Sequence, residues 1–114
     1  MEIKALLALV EKTLDDFKAQ NVTVIDVQGK TSITDYMVIA TGTSSRHVKA
    51  LAENVALDAK RATGGVFKTE GDDAGEWVLV DLGDVIFHAM QAESRELYSL
   101  EKLWETAGDH RQSS

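Results

Sequence analysis

Residues 77–90 constrain the fold more than any other stretch. They read Trp77-Val-Leu-Val-Asp-Leu82, then Gly83, then Asp84-Val-Ile-Phe-His-Ala-Met90. Two alternating apolar runs about a glycine predict a β-hairpin. A turn centred on Leu82-Gly83 pairs Trp77 with His88, Leu79 with Ile86 and Asp81 with Asp84, and puts all six on one side of the sheet. The other side carries Val78, Val80, Val85 and Phe87, an unbroken apolar set that must face a core. The first side therefore faces outward or towards a partner, unless Trp77 packs under the last helix and the aspartates are plain turn residues. An exposed Trp leaves apolar area in water, and like charges opposed across strands repel. A basic partner covering the face relieves both costs. Trp is also the residue type most enriched at interface hot spots.

The flanking elements follow from periodicity. Ile3, Leu6, Leu7, Val10, Leu14 and Phe17 share one stripe of a helix over 2–18. Val22–Val27 is β-branched and predicts a strand, and Gln28–Asp35 a loop. Tyr36–Thr41 predicts a second strand buried on both faces. Thr43 or Ser44 can cap a helix carrying Val48, Leu51, Ala52, Val55, Ala59 and Ala62, closed by Gly64-Gly65. Val66–Glu70 predicts a short strand and Gly71–Gly75 a turn. Ser94 can cap a last helix through Leu97, Tyr98, Leu100, Leu103 and Trp104. The order α-β-β-α-β-β-β-α predicts a single α/β domain over 1–106, a mixed sheet of about five strands with helices packed on it. Residues 107–114 form a polar tail expected to be disordered.

A chain of 114 residues can bury a core without disulfides or metals. It has no cysteine, which excludes a disulfide framework, a thiolate zinc site and a thiol nucleophile. No apolar run approaches the ~18 residues of a membrane span. The start, Met1-Glu2-Ile3-Lys4, resembles neither a signal peptide nor a transit peptide, so a cytoplasmic protein is expected. Net charge is −7, poor for neutralising phosphates, so little direct nucleic-acid contact is expected. The charge is uneven. Residues 1–69 hold nine Lys/Arg and eight Asp/Glu, whereas residues 70–109 hold two and eleven. Such asymmetry suggests an acidic interaction surface, or a solvated face that only aids solubility.

Candidate chemistry is thin. Asp81 and Asp84 could hold a divalent metal, and Thr41-Gly42-Thr43-Ser44 could cradle a phosphate at a helix N-terminus. Together they suggest a metal-dependent nucleotidyltransferase. The strand after that turn, Val66-Phe-Lys-Thr-Glu70, however, offers Lys68 where such an enzyme needs a carboxylate, and no P-loop is present. His47, His88 and His110 lack metal-ligand spacing. His88 beside Asp81 or Asp84 could form an acid–base pair, but no nucleophile accompanies it. No catalytic residue, metal or cofactor is assigned, and an enzyme is not expected.

Three ordered blocks carry a family resemblance. Trp77-Val-Leu-Val-Asp-Leu-Gly-Asp-Val-Ile-Phe-His88, followed by Arg95-Glu-Leu-Tyr-Ser-Leu-Glu-Lys-Leu-Trp104, closely resembles the signature of the ribosomal silencing factor family (RsfS, also called Iojap). Asp35-Tyr-Met-Val-Ile-Ala-Thr-Gly-Thr-Ser-Ser-Arg-His-Val48 resembles the same family's upstream block. The resemblance covers about residues 3–105. It implies a nucleotidyltransferase-like fold without transferase activity. It further implies binding to the large ribosomal subunit through its basic protein uL-fourteen, which blocks joining of the small subunit and represses translation when nutrients are scarce. Organelle members act in large-subunit biogenesis. By position, the resemblance puts Trp77, Asp81, Leu82, His88 and Tyr98 on the partner-facing pattern; the pairing argument adds Asp84. A dimeric assembly factor using the same face for self-association, a homodimer when off the ribosome, is the remaining alternative.

Overall fold

The structure is a computed structural model that describes residues 2–71, 74–99 and 102. Its elements are α1 (Ile3–Asp16), β1 (Gln20–Asp26), β2 (Tyr36–Gly42), α2 (Ser45–Thr63), β3 (Thr69–Gly71), β4 (Trp77–Asp81), β5 (Val85–Gln91) and α3 (Ala92–Tyr98). The strands form one sheet in the order β1-β2-β5-β4-β3. β2 and β5 run parallel, and the other neighbours are antiparallel. The expected mixed five-stranded α/β architecture is present.

The apolar stripes of α1 and α2 bury Leu6, Leu7, Val10 and Leu14 against Val48, Leu51, Ala52, Val55 and Ala59. Both helices cover the sheet face that carries Val38, Ala40, Val78, Val80, Val85, Phe87 and Ala89. Phe87 is the largest side chain buried there; full burial of such a side chain stabilises by about 2–3 kcal/mol. Thr13 is buried between the helices, where its hydroxyl lies 2.6 Å from Asp58 Oδ2 and 3.0 Å from the Leu9 carbonyl. Phe17, expected to extend the α1 stripe, instead forms the helix C-cap and is exposed. Gly64, in the left-handed region at φ +80°, closes α2 by donating its N–H to the Lys60 carbonyl.

A second, smaller core lies on the opposite face. Ile25, Val27, Met37, Ile39 and Met90 form it, with Trp77 packed alongside. Burial on both faces explains why β2 is nearly all apolar. α3 joins this face through Arg95. Its guanidinium donates to Thr41 Oγ1 and Thr23 Oγ1, each at 2.8 Å, and to the Asn21 carbonyl. Asn21 (φ +50°) sits where the β1–β2 register shifts between Gln20 and Thr23, a bulge that turns its carbonyl out of the ladder.

Two further sequence expectations are corrected by the structure. Ser94 does not cap α3: the N-cap is Gln91, and Ser94 is buried inside the first turn. The strand expected over Val66–Glu70 starts only at Thr69 and ends at Gly71. Leu100, Leu103, Trp104, the domain boundary near 106 and the polar tail lie outside the described residues.

Candidate partner-docking face

The β4–β5 hairpin forms with a register two residues from the expected one. Trp77 pairs with Met90, Leu79 with His88 and Asp81 with Ile86. The turn centres on Gly83-Asp84, and the Leu82 N–H donates to the Val85 carbonyl at 2.8 Å. Gly83, at φ +89°, takes the first central position of a two-residue loop, where a positive φ matches the twist of the strands. Leu82 would bear that strain in a Leu-Gly turn; it lies instead in the main core, 7% exposed. A slip of two preserves which side each strand residue faces. Trp77, Leu79, Asp81, Ile86 and His88 therefore still share one face, and Val78, Val80, Val85 and Phe87 the other.

The opposed aspartates disappear with the old register. Asp81 faces Ile86, and its Oδ1 accepts the Gly83 N–H at 2.8 Å, a local turn that steadies the tip. Asp84 sits in the loop. Its backbone carbonyl accepts the N–H groups of Asp35 and Tyr36, each at 3.0 Å, tying the tip to the start of β2. Both side chains are exposed.

Trp77 and His88 touch each other. The indole Nε1–H donates to His88 Nδ1 at 2.9 Å, and the ring centroids are 5.8 Å apart at 46°. Trp77 is half-buried, while His88 is 7% exposed. Burial pushes the imidazole down to about 4, so it is neutral near pH 7. Since an indole N–H can only donate, Nδ1 is the acceptor and Nε2 carries the proton.

The six residues singled out by sequence thus divide. Trp77, Asp81 and Asp84 reach the surface. Leu82 and His88 are buried, Leu82 because the turn shifts past it and His88 because the second core closes around it. The backbone of Tyr98 ends α3; its side chain lies outside the described groups. Sequence reasoning missed Leu79 and Ile86 as site residues. Both are half-buried on the same face as Trp77, beside the exposed Glu70 opposite Leu79, and strand alternation already carried that signal.

The parts of a nucleotidyltransferase centre do not come together. Ser44 caps α2 by accepting the His47 N–H at 3.1 Å. His47 Nδ1 accepts the Thr43 N–H at 2.8 Å, and its Nε2 lies 2.8 Å from the Phe17 carbonyl, to which it donates. These groups stand at the C-terminal end of β2, whereas Asp81 and Asp84 lie by its beginning. The length of β2, roughly 20 Å at ~3.3 Å per residue, separates them. Among the described residues, no group of three or more His, Asp or Glu could hold a metal ion, and no helix is long and apolar enough to cross a membrane.

Comparison with known proteins matches this sheet and hairpin to one family. The sequence profile described as "Ribosomal silencing factor during starvation" matches residues 1–114. A ribosomal silencing factor of Haemophilus influenzae is 48% identical over 88% of this chain and 98% of its own length. One of Bacillus subtilis is 38% identical over 91% and 88%. A mouse relative, named for mitochondrial assembly of the ribosomal large subunit, is 40% identical over 75% of this chain and 39% of its own length. A crystal structure from Chromobacterium violaceum superposes with a TM-score of 0.87 at 41% identity, covering 91% of this chain and 87% of that one. The chain belongs to the ribosomal silencing factor family.

Proposed function

We propose that this chain docks on the large ribosomal subunit through its basic protein uL-fourteen, keeps the small subunit from joining, and so represses translation during nutrient limitation or stationary phase. It works in the cytoplasm, by occupying a surface and not by catalysis. The observation that carries this reading is the face of β4 and β5. There a half-buried Trp77 lies with Leu79 and Ile86, bordered by exposed Asp81, Asp84 and Glu70. An aromatic anchor beside carboxylates suits a basic protein surface, with charge guiding encounter and the ring supplying affinity. Residues 70–109 hold all of the chain's excess acid, which favours a protein partner over bare RNA. The family's silencing role agrees with such a site.

Co-sedimentation with purified large subunits tests the interface. Trp77→Ala should lose about 2 kcal/mol or more of affinity. Undiminished co-migration of the folded variant would remove Trp77 from the interface.

A further inference from the structure

We infer that His88 is a positioning residue: its Nδ1 accepts the indole N–H of Trp77 and fixes the ring, so that a partner meets the ring and not the histidine. This rests on the docking reading above and assigns His88 a role within it. Trp77 and His88 are diagonal neighbours, since Trp77 stands opposite Met90 and His88 opposite Leu79. Aromatic side chains reach across such a diagonal. The 2.9 Å bond and the 46° tilt hold the indole against the second core. His88 itself is 7% exposed and sits beside the fully buried Ile39, so a docking partner has little of it to touch.

The bond also defines what Trp77 offers. Its N–H is spent on His88, so the indole presents ring surface. The fitting partner group is an apolar or cationic side chain laid against the ring. A ring released from its tether must be ordered anew on binding, which weakens affinity by roughly two- to ten-fold.

The test follows the Trp77 indole N–H by NMR in the free full chain, alongside co-sedimentation with large subunits. His88→Leu removes the acceptor. It should move the indole signal, speed its exchange with solvent, and weaken binding by roughly two- to ten-fold. His88→Asn, whose side-chain oxygen can take the place of Nδ1, should restore both. Trp77→Phe keeps most of the ring and removes the donor; it should also weaken binding, and serves if His88→Leu does not fold. An unmoved indole signal in folded His88→Leu overturns the inference. So does a Trp77→Phe or a His88→Leu that binds as tightly as wild type while Trp77→Ala does not. If Trp77→Ala binds normally, the docking reading fails, and the positioning claim is decided by the indole signal of the free protein.

Discussion

His88 and Leu82 are both buried in the hairpin, His88 against Trp77 and Leu82 in the main core. The His88 imidazole is held at about 4 by burial, below its ordinary 6.5. As pH falls from about 6.5 to 4, the unfolded chain takes up a proton that the folded chain refuses. Stability from this group is therefore complete above about 6.5 and falls by about 3 kcal/mol on reaching pH 4. Urea denaturation across this range should show a shallower pH dependence in His88→Asn than in wild type. An identical slope would mean His88 is not buried neutral. Leu82 makes a second prediction at this scale. Its side chain belongs to the main core, so Leu82→Ala should cost about 2–4 kcal/mol of stability. Large-subunit affinity, measured on the folded fraction, should change little. A large loss of affinity in a stable variant would mean that Leu82 meets the partner as well as the core.

The helices were the most legible elements. The stripes of α1 and α2 repeat over several turns, and Ser44 and Gly64 punctuate α2 with residues suited to its ends. The hairpin was legible in its faces but not its register, because alternation has a period of two and a slip of two is invisible to it. Only the left-handed φ at Gly83 distinguishes a Gly-Asp turn from a Leu-Gly one. Gly83→Ala should therefore destabilise the fold by about 1–2 kcal/mol through backbone strain, although no atom lies within 4 Å of a Cβ built there. Thermal denaturation checks it. Sequence misplaces the start of α3, because Ser94 has cap chemistry yet lies two residues inside the helix. What anchors α3 is long-range: Arg95 reaches Asn21, Thr23 and Thr41, over 50 residues away in sequence. No local pattern encodes such a clamp. Arg95→Ala should cost about 1–2 kcal/mol, and faster amide exchange in α3 would report its release.

Across the whole molecule, the fold supplies a rigid base for a small surface. Two cores, one on each face of the sheet, fix β4 and β5 while leaving Trp77, Leu79 and Ile86 partly exposed. The acidic surplus in residues 70–109 was visible by counting charges. Which residues reach the surface was not, because burial of His88 and Leu82 depends on packing from distant strands and helices. If the surplus steers the chain onto a basic protein, raising salt from about 0.05 M to about 0.5 M should slow association with large subunits. Asp81→Asn combined with Asp84→Asn should reduce that salt dependence and leave the dissociation rate nearly unchanged. On this reading the Trp77 face keeps the ribosomal subunits apart, which light scattering on mixing purified small and large subunits can follow. Wild-type chain should suppress the joining signal, and folded Trp77→Ala should suppress it far less at the same concentration; full joining in the presence of saturating wild-type chain would mean that this face does not hold the subunits apart.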